Sequence, residues 1–117
     1  AAAHKGNAKL KVIFENHYLD DEQIVKACEI AKAAGADFIK TSTGYAESGA
    51  KLSDLKLMVE HADGMLVKAA GGVKSLDNCL AIMALGVVRC GTRSSKNILE
   101  EACVRAKNKQ LFLNIEE

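Results

Sequence analysis

The sequence has almost no excess of charge: 16 Lys and Arg stand against 15 Asp and Glu, a formal net charge of +1. That balance gives no reason to expect nucleic acid or an anionic membrane as a partner, since both are met by a basic excess. No apolar run approaches the ~18 residues that a membrane-spanning helix needs. The opening "AAAHKGNAK" is too short and too polar to read as a secretory signal. Cys28, Cys79, Cys90 and Cys103 show neither CxxC nor metal-ligand spacing. Reduced, mostly buried thiols in a cytoplasmic protein are therefore expected, with no metal and no cofactor. The nucleotide signatures GxGxxG and GxxxxGK(S/T) are also missing; "AAGGVKS" shares only its glycines with a phosphate cradle.

What is there is alternation. "LKVIF" (10–14), "ADFIKTS" (36–42), "GMLVKAA" (64–70) and "VVRCGT" (87–92) read as strands. "DDEQIVKACEIAKAAG" (20–35), "KLSDLKLMVEHA" (51–62), "SLDNCLAIMALG" (75–86) and "SSKNILEEACVRAKNK" (94–109) read as helices. The first helix has acids in its first turn, apolar positions at Ile24, Cys28 and Ala31, and Gly35 as its stop. Ser53 and Ser75 are candidate N-caps. Four consecutive βα units predict parallel strands joined by right-handed crossovers, in one domain over residues 1–117. They fit a doubly wound sheet or a piece of a (β/α)8 barrel, and the missing nucleotide motifs weaken the first.

Two lysines interrupt the apolar runs. Side-chain alternation puts Phe38, Lys40 and Ser42 on one face and Ile39 and Thr41 on the other, and Leu66, Lys68 and Ala70 share a face in the next strand. Both lysines lie near the C-terminal ends of adjacent parallel strands, where α/β proteins gather their active sites. If both face inward, strands ~4.8 Å apart place the amines roughly 5–7 Å apart. At an effective dielectric of ~20 two such ammoniums repel by ~2–3 kcal/mol, enough to lower one pKa by ~2 units. Desolvation adds to this. An unprotonated lysine near neutral pH is a nucleophile suited to Schiff-base chemistry. The plainer alternative has both lysines reaching out of solvated strand ends, and spacing alone does not separate the two.

"KVIFENHYL", "GADFIKTSTGY", "VKAAGGVKSLDNCL" and "VVRCGTRSS", in this order and spacing, resemble the deoxyribose-phosphate aldolases, class I aldolases built as TIM barrels. The resemblance implies an α/β fold of the (β/α)8-barrel type, with this chain supplying four βα units, strands five to eight. It implies reversible cleavage of 2-deoxy-D-ribose 5-phosphate to acetaldehyde and D-glyceraldehyde 3-phosphate. Lys40, in KTSTG, corresponds to the imine-forming lysine, and Lys68, in KAAGG, to the neighbour that lowers its pKa. The phosphate is held in the family by glycine-turn amides and a final-strand serine, here Gly44, Gly71, Gly72 and Ser94. Each has a plainer reading: Gly71 and Gly72 as a strand-to-helix turn, Ser94 as an N-cap. Arg93 stands where the family commonly has a small residue or serine; it either adds a phosphate contact or points into solvent. Tyr45 occupies a place that holds lysine in some members and an aromatic in others.

A whole barrel takes ~250 residues, and the family's acid/base carboxylate belongs to strand four. Residues 1–9 thus read as the end of a preceding helix or linker, and 110–117 as a tail outside the family pattern. The apolar "LFLNIEE" (111–117) could cap an exposed face or pair with a sheet edge. A lone half-barrel leaves strand edges and an inner face open. The expected partners are therefore a small sugar phosphate and either further copies of the chain or a complementing half-barrel. Weak or no activity is expected of this chain alone. The alternatives are a non-catalytic phosphate-binding or assembly module, and a half-barrel sugar-phosphate isomerase, which leaves the paired lysines without a purpose.

Overall fold

The four expected strands form, each shorter than its apolar run. In the computed structural model, which describes residues 1–109, they are β1 (Lys11–Ile13), β2 (Phe38–Lys40), β3 (Leu66–Ala70) and β4 (Arg89–Gly91). They pair in parallel in the order β1-β2-β3-β4. Every crossover returns the chain beside the strand it has just left, so the sheet winds in one direction. A doubly wound sheet reverses direction part-way, and this one does not.

A helical turn, α1 (Ala2–Lys5), precedes the sheet, and a 3₁₀ turn, Asn16–Tyr18, follows β1. The main helices are α2 (Asp21–Ala33), α3 (Leu52–Glu60), α4 (Leu76–Ala84) and α5 (Ser95–Lys107). A capping box starts α2: the Asp20 carboxylate accepts the Gln23 N–H, and the Gln23 side chain accepts the Asp20 N–H. Ser75 caps α4, accepting from the Asn78 N–H at 3.1 Å. Ser53 does not cap α3. The Ala50 N–H is tied to the Gly71 carbonyl at 2.9 Å, and the helix starts at Leu52 behind an extended Lys51. Ser53 is thereby drawn inside the first turn, where its hydroxyl donates to Asp54 at 3.4 Å.

The core lies on one face of the sheet. Ile39, Val67 and Ala69 from the strands meet Ile24, Cys28 and Ala31 of α2, Leu55 and Met58 of α3, and Ile82 of α4. Helix α5 packs on α4 through Ile98 against Leu76 and Leu80, and Arg105 pairs with Asp77 at 2.5 Å. With the helices gathered on a single face, the opposite face of the sheet is bare. Ile13 and Leu66 on that side are 41% and 44% exposed. The layout is that of four consecutive units of a (β/α)8 barrel seen from its open interior.

The described cysteines are free, as expected, but less buried than expected. Cys28 is buried, Cys79 and Cys90 are half-buried, and Cys103 is exposed on α5. Burial pushes the Cys28 thiol up to about 11, far from nucleophilic at neutral pH. No described helix is long and apolar enough to cross a membrane. The apolar segment 111–117 lies outside the described residues.

Candidate active site

Strand register brings the two lysines together. Lys40 and Lys68 are direct partners across β2 and β3, Lys68 is in turn the partner of Arg89 on β4, and Lys11 on β1 is the partner of Phe38. Paired residues of a parallel ladder point to the same face, so Lys11, Lys40, Lys68 and Arg89 share the bare side of the sheet. The Arg89 guanidinium lies 4.4 Å from the Phe38 ring centroid and covers it, leaving Phe38 only 5% exposed. No strand residue on this face carries a carboxylate. Lys68 is consequently held below the ordinary lysine value, first by partial burial and then by the charges of Lys11, Lys40 and Arg89.

That depression has a sign for stability. A lysine whose folded pKa lies below its unfolded value, 10.5, binds fewer protons when folded than when unfolded between the two. Stability therefore climbs as pH rises from the folded pKa toward 10.5. Lys68→Met is expected to flatten that climb without lowering stability at neutral pH, as read from urea unfolding across the alkaline range. A large loss of stability at neutral pH would contradict the repulsive environment of Lys68.

At the carboxyl ends of β2, β3 and β4 the chain encloses a cleft of about 440 Å³. All seven residues singled out from the sequence line it: Lys40, Lys68, Gly44, Gly71, Gly72, Arg93 and Ser94. Gly44, Gly71 and Gly72 have φ of 100°, 84° and 76°, a region that side chains rarely occupy. Among the described residues, none of their three amides has a hydrogen-bond acceptor. Ser94 stands at the N-cap of α5 yet makes no side-chain cap bond. Its hydroxyl is not committed to the helix.

Hydroxyls brace the strand ends. Thr41 Oγ1 donates to the Ala70 carbonyl and accepts its N–H, both at 3.1 Å, stitching β2 to β3 one residue beyond the lysine pair. Thr92 Oγ1 donates to the Val73 carbonyl at 2.5 Å and accepts the Ser94 N–H at 2.9 Å. The turn at Gly71 is pressed against Gly49, where a built Cβ would lie 2.3 Å from the Gly71 carbonyl oxygen. Gly49→Ala is thus expected to cost about 1–3 kcal/mol in urea unfolding, because backbone rather than a flexible side chain must move. An unchanged midpoint would show that the turn relocates freely.

Three polar side chains of the cleft escaped the sequence reading, Thr43, Lys74 and Thr92, along with the small or apolar Ala70, Val73 and Gly91. Lys74 adds a fourth side-chain cation beside Lys40, Lys68 and Arg93, and no lining residue is acidic. The one available signal was the position of Lys74, two residues beyond Gly72. Cationic side chains, amides without acceptors among the described residues, and the nearby N-terminal ends of α4 and α5 are features that attract an anion.

A one-way sheet with helices on one side, and a lysine-bearing cleft at its carboxyl ends, define half of a (β/α)8 barrel of the aldolase kind. The chain belongs to the DeoC/LacD family of aldolases, whose family model matches residues 4–96. It is 52% identical over 99 residues to the deoxyribose-phosphate aldolase of Clostridium novyi, covering 84% of this chain and 45% of that protein. Among solved structures, "QR15, an Aldolase" superposes with a TM-score of 0.82 at 43% identity, over 88% of this chain and 47% of that one. The deoxyribose phosphate aldolase from Aeropyrum pernix, described as a unique tetramer, gives a TM-score of 0.78 at 32% identity, over 86% and 44%. The chain spans less than half the length of the proteins it matches.

Proposed function

We propose that this chain carries the imine-forming half of a deoxyribose-phosphate aldolase active site. The observation that carries the reading is the register of Lys40 with Lys68 in the lining of a cleft with three glycine amides that have no acceptor among the described residues. Lys40 is assigned as the nucleophile from its place in KTSTG, and Lys68 as the adjoining cation that favours loss of a proton from the pair. Gly44, Gly71, Gly72 and Ser94 hold the 5-phosphate, with Arg93 and Lys74 at its rim.

In this reading the Lys40 amine adds to C1 of open-chain 2-deoxyribose 5-phosphate and expels the carbonyl oxygen as water, leaving a protonated imine. The electron pair of the C2–C3 bond then moves into the iminium, the C3 hydroxyl gives up its proton, and glyceraldehyde 3-phosphate departs. The remaining enamine takes a proton at C2, and water releases acetaldehyde and frees Lys40. Two of these steps need a group that accepts and returns a proton. The strand residues on the bare face offer only cations, so activity of the chain alone is weak or absent.

That same lack favours a second reading, a phosphate-binding module without covalent chemistry. Acetaldehyde and borohydride separate the two. Imine formation is expected to leave one ethyl group on Lys40, located by peptide mass spectrometry. A folded sample with no adduct at Lys40 sinks the aldolase reading and leaves the binding module.

A further inference from the structure

Just beyond β1 the chain turns at Glu15, whose backbone sits at φ 55° and ψ 64°, a left-handed conformation. Glutamate has no intrinsic preference for it, and glycine would adopt it without strain. Such a conformation persists only where surrounding contacts over-determine it. Here the contacts are with Thr43. One Glu15 carboxylate oxygen accepts the Thr43 N–H at 3.2 Å, and the other accepts the Thr43 hydroxyl proton. The Thr43 hydroxyl oxygen in turn accepts the Tyr45 N–H at 3.3 Å. Although Glu15 stands at the N-cap of the 3₁₀ turn, its side chain makes no cap bond there. Its bonding is directed to Thr43.

The neighbours of Glu15 grip the same loop. The Asn16 N–H donates to the Thr41 carbonyl at 2.9 Å, and His17 Nδ1 is 2.7 Å from Ser48 Oγ. At the far end the Ala50 N–H is bound to the Gly71 carbonyl. The loop from β2 to α3 is thus fastened along its length, and Glu15 fastens it at the point where it enters the cleft. Thr43 and Gly44 line that cleft, while Glu15 does not. With the Thr43 amide committed to Glu15, Gly44 supplies the next amide in the loop, and it has no acceptor among the described residues.

We propose that Glu15 is a positioning residue for anion binding: its two-point hold on Thr43 fixes the turn that offers the Gly44 amide to an oxyanion in the cleft. This rests on the reading of the cleft as a phosphate site. Inorganic phosphate, titrated into the full chain while the amides of Gly44, Gly71 and Gly72 are followed by NMR, tests it. In the wild type all three amides are expected to shift. Glu15→Gly keeps the left-handed backbone free of strain while removing the carboxylate, and is expected to weaken phosphate binding by about tenfold or more. Glu15→Gln, which retains an acceptor for the Thr43 N–H, is expected to stay within about threefold of wild type.

A merely structural Glu15 makes the opposite forecast: Glu15→Gly would lower the unfolding midpoint and leave phosphate affinity as it was. That result overturns the proposal, as do wild-type cleft amides that ignore phosphate. Absence of the Lys40 adduct in wild type would remove the aldolase reading but leave this titration intact, so the two failures are told apart.

Discussion

Lys40→Met is expected to abolish the acetaldehyde adduct altogether, a loss of at least ~10³-fold in trapping rate, the scale seen when a nucleophile is removed. Unfolding is a poor rival explanation for this variant. Lys40 is in register with Lys68, and Lys68 with Arg89, on a face without a strand carboxylate. Methionine of similar length removes one cation from a repelling group and leaves the strand pairing alone. Lys68→Met is expected to behave differently, keeping its adduct at Lys40 but forming it ~10–100-fold more slowly near neutral pH, the scale of losing a neighbouring charge that assists proton transfer. Peptide mass spectrometry of both variants decides the assignment. An adduct that persists in Lys40→Met and maps to Lys68 would exchange the two roles. Lys68 is the amine that burial and its cationic neighbours hold below the ordinary lysine value, so that exchange is the most informative outcome against the present assignment.

The strands and helices were legible because each carries its own local signal. Alternation announced that Ile39 and Thr41 oppose Lys40, and the two are fully buried on the helix side. Ser75 announced the start of α4 through its own hydroxyl. Ser53 misled because the start of α3 is set by a distant contact, the Gly71 carbonyl on the Ala50 amide. The same distinction runs through the site. Lys40, Lys68 and the glycine turns were visible as residues of the wrong type for a strand or of special backbone freedom. Glu15 was not, since its role depends on a partner 28 positions away in the chain. Nor was the cover that Arg89 gives Phe38, which needs the register of four strands before it can be seen. Lys74 carries no mark of its own in the sequence; it joins the cleft because it follows the turn at Gly71 and Gly72.

Restoring the unmatched part of the barrel is expected to produce the second large effect. The part of the Clostridium novyi relative outside the matched region, supplied as a separate chain, is expected to bind this one in equal number. It is also expected to raise cleavage of 2-deoxyribose 5-phosphate ~10²–10⁴-fold over either piece, the range a general acid–base group provides. A second copy of this chain is a poorer occupant of the bare face. Closing two copies into one barrel would set Lys11, Lys40, Lys68 and Arg89 against the same four charges, each pair at ~7 Å costing ~2 kcal/mol at an effective dielectric of ~20. Each interior layer of a barrel takes four side chains from alternate strands, and four strands offer two, so either kind of second half would fill the layers and the charge decides between them. A complementing half that brings carboxylates would satisfy the charge and complete the layers together. Native mass spectrometry gives the stoichiometry, and a coupled assay for glyceraldehyde 3-phosphate gives the rate. A closed homodimer that cleaves the sugar phosphate as fast as the mixture would overturn both the charge argument and the need for a second half.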